Sequence, residues 1–358
     1  MRSPVSLTAA VLGLALTVAS VSPHHRDQGP QGNNSFRVHV EFLPGWSLWD
    51  DSRNEVITSP SYIRPVGPSA RLAMIYDAVS GAKRSIDIPQ DFSAAQFINV
   101  DAIAVGPEGS VLIACEVKFG DGLFAGDRLL LYDNHSTLTT NLVTPDYDVG
   151  AVALDKVGNA YVVGDHDDEL SSGESYPLLV KYDSYGHTTL ETLPRSLFSN
   201  VDDPVGDGFG DTHSGATRLT VNEKAIEVYL APANELIILN HRGEIQSRVS
   251  VASRLSEFAK TNGYNSLHVD WDEFSPSGDL WLVGRLTDAE DNHAAPQSFR
   301  SFVLRLTSEG ELQVSFNEIV EGAPYPFLPQ LIGFTQSNEP VALLHQGSGY
   351  FIVRKGPY

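Results

Sequence analysis

Val152-Ala-Leu-Asp-Lys-Val-Gly-Asn-Ala-Tyr-Val-Val-Gly-Asp165, followed by Leu179-Val-Lys-Tyr-Asp-Ser-Tyr-Gly186, decides the fold. Two β-branched runs flank Asp155-Lys-Val-Gly158, a turn of the kind that joins antiparallel strands. A third run then enters a second such turn at Asp183-Ser-Tyr-Gly186 and leaves it as a fourth. Two successive hairpins make one four-stranded antiparallel unit.

The second hairpin recurs along the chain. Copies run over Arg71–Ile88, Arg128–Val143, Leu178–Leu193, Glu235–Val251 and Phe302–Phe316. An earlier hairpin precedes each later one, turning at Gly106-Pro-Glu-Gly109, Asp155-Lys-Val-Gly158, Asn222-Glu-Lys224 and Ser275-Pro-Ser-Gly278. A period of about 50–60 residues with four strands per unit is the mark of a β-propeller. The predicted fold is therefore all-β, a propeller of four-stranded antiparallel blades. One short helix of one or two turns is expected over Ser253–Lys260, near Val251–Thr261.

Both ends of the repeat bear on the ring. Trp46–Trp49, Glu55–Thr58, Arg71–Tyr76 and Lys83–Ile88 form the first unit. Leu331–Phe334, Val341–Leu344 and Tyr350–Arg354 form the last, which lacks an outer strand. A missing outer strand leaves an unpaired edge. Phe36–Phe42 is a spare alternating strand, expected to pair there and close a ring of six blades. Five or seven blades stay open, because the first unit matches the pattern weakly.

The Val149–Leu193 unit resembles the NHL-repeat and gluconolactonase-like (regucalcin-like) six-bladed propellers. It has their apolar strand, Asp-x-x-Gly-Asn, apolar strand ending in Asp, and strand ending in Asp-x-x-Gly. Asp101–Tyr132 and His268–Leu306 follow the pattern more loosely. The family contains both enzymes and binding scaffolds, so the resemblance speaks to fold. In the gluconolactonase-like members it implies a metal at the channel mouth. The corresponding strand ends here carry Asn99, Asp101, Glu116, Asp148, Asp165, His268 and Asp270.

The N-terminus differs in composition. Met1-Arg2 precedes the uncharged, largely apolar Val5–Val18, and small residues follow at Ala19 and Ser20. Residues 1–20 read as a signal peptide and 21–34 as a disordered leader, with 35–358 as one propeller domain. The expected destination is the periplasm or the medium, without stable membrane insertion. The chain has 358 residues, 24 basic against 45 acidic, a net charge of −21. That excess argues against nucleic acid as a partner and suits cationic ligands or Ca²⁺. Cys115 is the single cysteine. It sits in an apolar run, so an inert buried thiol is expected and internal disulfides are excluded.

The turns within hairpins are tight, which marks their end as plain, whereas the connections between hairpins are long, as over Glu116–Asp127 and Gly164–Pro177. These sets fall on opposite ends of a propeller, and long loops on a rigid scaffold carry binding residues. The candidate ligand face therefore comprises Glu116, Asp121, Asp127, His166, Asp168, Asp207, Asp211, His213, His268, Asp270 and His293. Asp165, Asp167 and Glu169 have alternating oxygen-ligand spacing suited to Ca²⁺. Leu170 stands where an EF-hand needs glycine, so the loop is not one. A solvated acidic loop accounts for the same spacing. His268 and Asp270 alternate with apolar neighbours and are expected to contact each other structurally.

No Gly-x-Ser-x-Gly, His-Glu-x-x-His, phosphate-loop or dinucleotide fingerprint occurs. The expected function is an exported, monomeric, non-catalytic propeller binding a peptide, glycan or protein through its long-loop face. The alternative is a calcium-dependent lactonase, ester or phosphotriester hydrolase, in which the ion would polarise the reacting oxygen.

Overall fold

The computed structural model describes residues 35–39, 45–67, 69–120, 124–144, 147–166, 176–201, 203–206, 216–287, 299–315, 330–346 and 350–355. They form an all-β, propeller-like arrangement of small antiparallel sheets. Taken in chain order, the first sheet is Trp46–Asp50, Glu55–Ser59, Arg71–Asp77 and Lys83–Asp87. The second is Ala95–Val105, Val111–Phe119, Phe124–Tyr132 and Leu138–Thr144. Asp148–Leu154, Ala160–Asp165, Pro177–Tyr182 and Thr188–Pro194 make the third. The fourth comprises Arg218–Val221, Ile226–Leu230, Glu235–Leu239 and Ile245–Ser250. In the fifth are Ser266–Phe274, Leu280–Thr287, Phe299–Leu306 and Leu312–Ser315.

The sixth sheet takes its members from both ends of the chain. Gln330–Phe334, Pro340–Gln346 and Tyr350–Lys355 are completed by Ser35–His39, with Phe36 opposite Val353 and Val38 opposite Phe351. The spare strand anticipated at Phe36–Phe42 thus finds the anticipated edge.

Burial explains the composition of the strands. Second strands are enclosed on both faces, as all of Glu55–Ser59 and Ile226–Leu230 are buried. Such strands read as continuous apolar runs. Outer strands alternate: Leu138–Thr144 exposes every second residue, and Ile245–Ser250 does so from Gln246 onward. Apolar clusters lie between successive sheets; Ala151, Tyr161 and Leu179 of the third meet Leu219, Ile226 and Ile237 of the fourth. Each fully buried Val, Leu or Ile contributes about 1.5–3 kcal/mol through the hydrophobic effect.

The Asp or Asn that heads several of the turns has one cause. Asp183 Oδ1 accepts from the N–H groups of Tyr185 and His187 at 2.9 and 2.8 Å. Asp155 does the same for Val157 and Asn159, and Asn240 for Arg242 and Glu244. The side chain replaces a backbone acceptor and holds the turn. The outer turns also join sheets. Gly243, at φ +81°, leaves no room for a Cβ, which would lie 2.8 Å from Thr192 Cβ of the preceding sheet. Thr192 Oγ1 donates to Gly243 O at 2.6 Å.

Three elements depart from the sequence reading. The helix is longer than the two turns expected, filling Val251–Thr261, and buries Leu255 and Phe258. Tyr62–Ile63 crosses from the first sheet to pair with Asn99 and Ile98 of the second. The connection expected over Glu116–Asp127 is largely strand. Val117 is buried and Lys118 pairs with Phe124, so the hairpin continues where a loop was expected. Glu116 and Asp127 are consequently cross-strand partners.

Candidate functional site

The innermost strands share a local irregularity. A β-bulge falls at Asp101, Gly150, Asp270 and Ile332, at corresponding points of the second, third, fifth and sixth sheets. Bulges re-aim side chains and gather near functional sites. Two of the four carry carboxylates, and both lie toward the end of the long connections.

Asp101 heads a carboxylate group. Burial pushes its pKa up to about 8, and repulsion from Asp127, Glu116 and Asp148 adds to it. Its Oδ2 has no hydrogen-bond partner. At neutral pH Asp101 therefore keeps its proton, as expected where like charges crowd a partly desolvated site. Beside it, Asn99 Nδ2 donates to Glu116 Oε2 at 2.6 Å. Asp127 is 2% exposed. The fold thus brings Glu116 and Asp127, both expected at the site, together with Asn99, Asp101 and Asp148.

Asp165 belongs to a different arrangement. Arg195 Nε lies 3.2 Å from its Oδ2, and the Tyr176 hydroxyl donates to its Oδ1. The His166 N–H also donates to Oδ1, at 2.8 Å. The His166 ring sits edge-on between Tyr147 and Tyr176, at 5.4 and 4.5 Å between centroids. Both carboxylate oxygens of Asp165 are thus engaged within the protein.

Asp270 is similarly committed. Arg285 grips it through Nε to Oδ2 at 3.0 Å and Nη2 to Oδ1 at 2.9 Å. Burial raises its pKa to about 6, against the opposing pull of Arg285. His268 Nε2 stands 3.6 Å from Oδ1, an ion-pair distance, so the two residues are neighbours as expected. The dominant partner, however, is Arg285. Asp121, Asp167, Asp168, Glu169, Asp207, Asp211, His213 and His293 lie outside the described residues. Among the described residues, no three carboxylate, imidazole or thiol groups converge as a metal cage.

A cavity of about 320 Å³ runs between the innermost strands of all six sheets. Trp46, Ala102, Ala153, Arg218, Glu273 and Phe334 contribute to its wall. Arg218 pairs with Asp272 at 3.1 Å, and its guanidinium carbon lies 5.8 Å from the Trp46 ring centroid. Sequence reasoning did not single out Arg218, Asp272 or Glu273. Adjacent acids at Asp272-Glu273 inside an otherwise apolar-alternating strand are the signal that marks them, because one of the two must face inward.

No protein-family model matches this sequence, and no curated protein does. Solved structures resemble it in arrangement. A protein of unknown function from Dyadobacter fermentans has 12% identity and a TM-score of 0.49, covering 91% of this chain and 100% of its own. Another of unknown function, from Bacteroides thetaiotaomicron, has 12% identity and a TM-score of 0.49 over 91% of this chain and 72% of its own. A streptogramin B lyase has 12% identity and a TM-score of 0.46, covering 89% and 97%.

Proposed function

We propose that this chain is an exported, non-catalytic propeller of six four-stranded blades that binds a peptide, glycan or protein at its long-connection end. Ser35–His39 closes the ring. Six sheets support that count. So does the apolar cluster in which Trp49, Val56 and Met74 of the first sheet meet Ile332, Val341 and Val353 of the sixth. The apolar run behind Met1-Arg2 supports export.

The observation that carries the binding reading is the carboxylate group at the Asp101 bulge. Asp101, Glu116, Asp127 and Asp148 are neighbours there, and a partner presenting lysine or arginine would supply the charge that draws the proton off Asp101. Asp165 and Asp270 are held by guanidinium groups, which suits a structural role over an acid–base role.

The test uses mature protein against immobilised peptide and glycan panels at low and physiological salt. Saturable binding that falls with salt and weakens in Glu116→Gln supports the reading. Metal-dependent turnover of lactones or aryl esters would overturn it in favour of the hydrolase.

A further inference from the structure

We propose that the central channel holds a small organic cation, an alkyl or arylalkyl ammonium, with Glu273 as its counter-ion. This inference is independent of the long-connection end, because the residues involved line the interior.

The channel is wide for a chemical reason. Where its wall could carry large side chains it carries Ala102, Ala104, Gly150, Ala151, Ala153 and Gly333. The resulting 320 Å³ matches about ten waters of liquid volume, the low end of small-molecule sites. Part of the wall is aromatic. Trp46 is fixed by its indole N–H, which donates to Val100 O at 2.8 Å, and Phe274 and Phe334 also line the space.

Charge selects the occupant. Asp272, 2% exposed, accepts from Arg218 and from the Ala216 N–H at 3.2 Å. Arg218 Nε also donates to Asp272 O at 3.0 Å. The guanidinium is therefore committed to Asp272. Glu273 lines the cavity, and its Oε1 accepts from the Phe274 N–H at 3.0 Å. One guanidinium faces two carboxylates, and burial raises the pKa of both against the pull of Arg218, so Glu273 is left to take a proton or a second cation. A buried charge needs a partner or a proton. An ammonium would supply the charge through Glu273 and place its apolar part against the aromatic and alanine wall.

The candidate entrance is at the tight-turn end. There a wider hollow of about 1030 Å³ shares Val221 and Pro276 with the channel wall. That end was expected to be plain, since its turns are short. Short turns cover the mouth lightly, with a Lys156–Glu223 ion pair at 2.8 Å among its lining residues.

The probe is benzylamine, protonated at neutral pH, titrated calorimetrically into the whole chain alongside benzyl alcohol and benzoate. Saturable benzylamine binding by about 10 mM is expected, with benzyl alcohol at least about tenfold weaker and benzoate weaker still. Glu273→Gln keeps an acceptor for the Phe274 N–H and should lower benzylamine affinity about tenfold or more while sparing benzyl alcohol. Equal binding of amine and alcohol, preference for benzoate, or no saturable amine binding would overturn the proposal. Should Glu273→Gln fail to fold, the three-ligand comparison on the unaltered chain decides alone.

Discussion

Replacing Glu227 with glutamine should change how stability responds to pH, with a sign fixed by the surroundings. Glu227 is 3% exposed within Ile226–Leu230. Its Oε1 accepts from Asn222 Nδ2 at 3.2 Å, and its Oε2 has no hydrogen-bond partner. Burial raises its pKa from 4.5 to about 7, with Asp279 and Glu309 adding to the rise and Asn222 and Lys224 opposing it. Between those values the native state holds a proton that the unfolded chain has released. The resulting stabilisation is complete below the unfolded value and is lost as pH rises through the folded one. The span of about 2.5 units is worth about 3 kcal/mol. Glu227→Gln is neutral throughout, so it removes this slope. Glutamine also leaves an amide N–H group without an acceptor, a pH-independent cost of about 1–3 kcal/mol. Urea unfolding of both proteins, followed by tryptophan fluorescence from about pH 4 to about pH 8, separates the terms. The variant should gain about 3 kcal/mol relative to the parent across that range. A difference that stays constant, within the ~10–15% error of extrapolation, would refute the assignment of a buried protonatable Glu227.

Four further outcomes are expected. Gly278→Ala should destabilise by at least about 1–3 kcal/mol in denaturant melts, because φ is +91° and a Cβ would sit 2.1 Å from Glu227 Oε1. Arg195→Met should cost about 1–3 kcal/mol by the same assay, since it leaves Asp165 Oδ2 without its guanidinium and removes bonds to Phe198 O and Val201 O. Cys115 is buried and its thiol pKa is pushed well up by desolvation, so thiol reagents should label it only at the rate of global unfolding. Deleting residues up to 39 should lower the melting temperature and promote association through the bared edge of Tyr350–Lys355, read by light scattering.

The scaffold was legible because its signals are local. Asp183 and Gly186 specify a turn within four residues, and the alternation of Leu138–Thr144 records one dry face and one wet face. The partner of Phe36 was legible for a different reason: a strand was lacking at one place and spare at another. The ties of the acids were not legible. Asp165 depends on Arg195 thirty residues onward, and Asp270 on Arg285 across a hairpin. Nothing in the spacing of Asp165, Asp167 and Glu169 reveals a guanidinium arriving from elsewhere. Glu227 reads as an ordinary solvent-facing residue in Ile226-Glu-Val-Tyr-Leu230, yet the turn carrying Gly278 covers it. Long-range enclosure, and with it the shifted pKa values of Asp101, Glu227 and Asp270, escapes a one-dimensional pattern.

The union of Ser35–His39 with Tyr350–Lys355 gives the molecule a timetable. Ser35 and Arg354 are partners separated by 319 positions. At a synthesis rate of about 5–20 residues per second, the first of these strands is made roughly 15–60 s before its mate. Five sheets can assemble from neighbouring sequence in that interval, while this one must wait for the most distant strand pairing among the described residues. Joining Ser35–His39 to Tyr350–Lys355 is then expected to be a late event in folding. Until it occurs, the open edge is where the nascent protein is most vulnerable to pairing with a stranger.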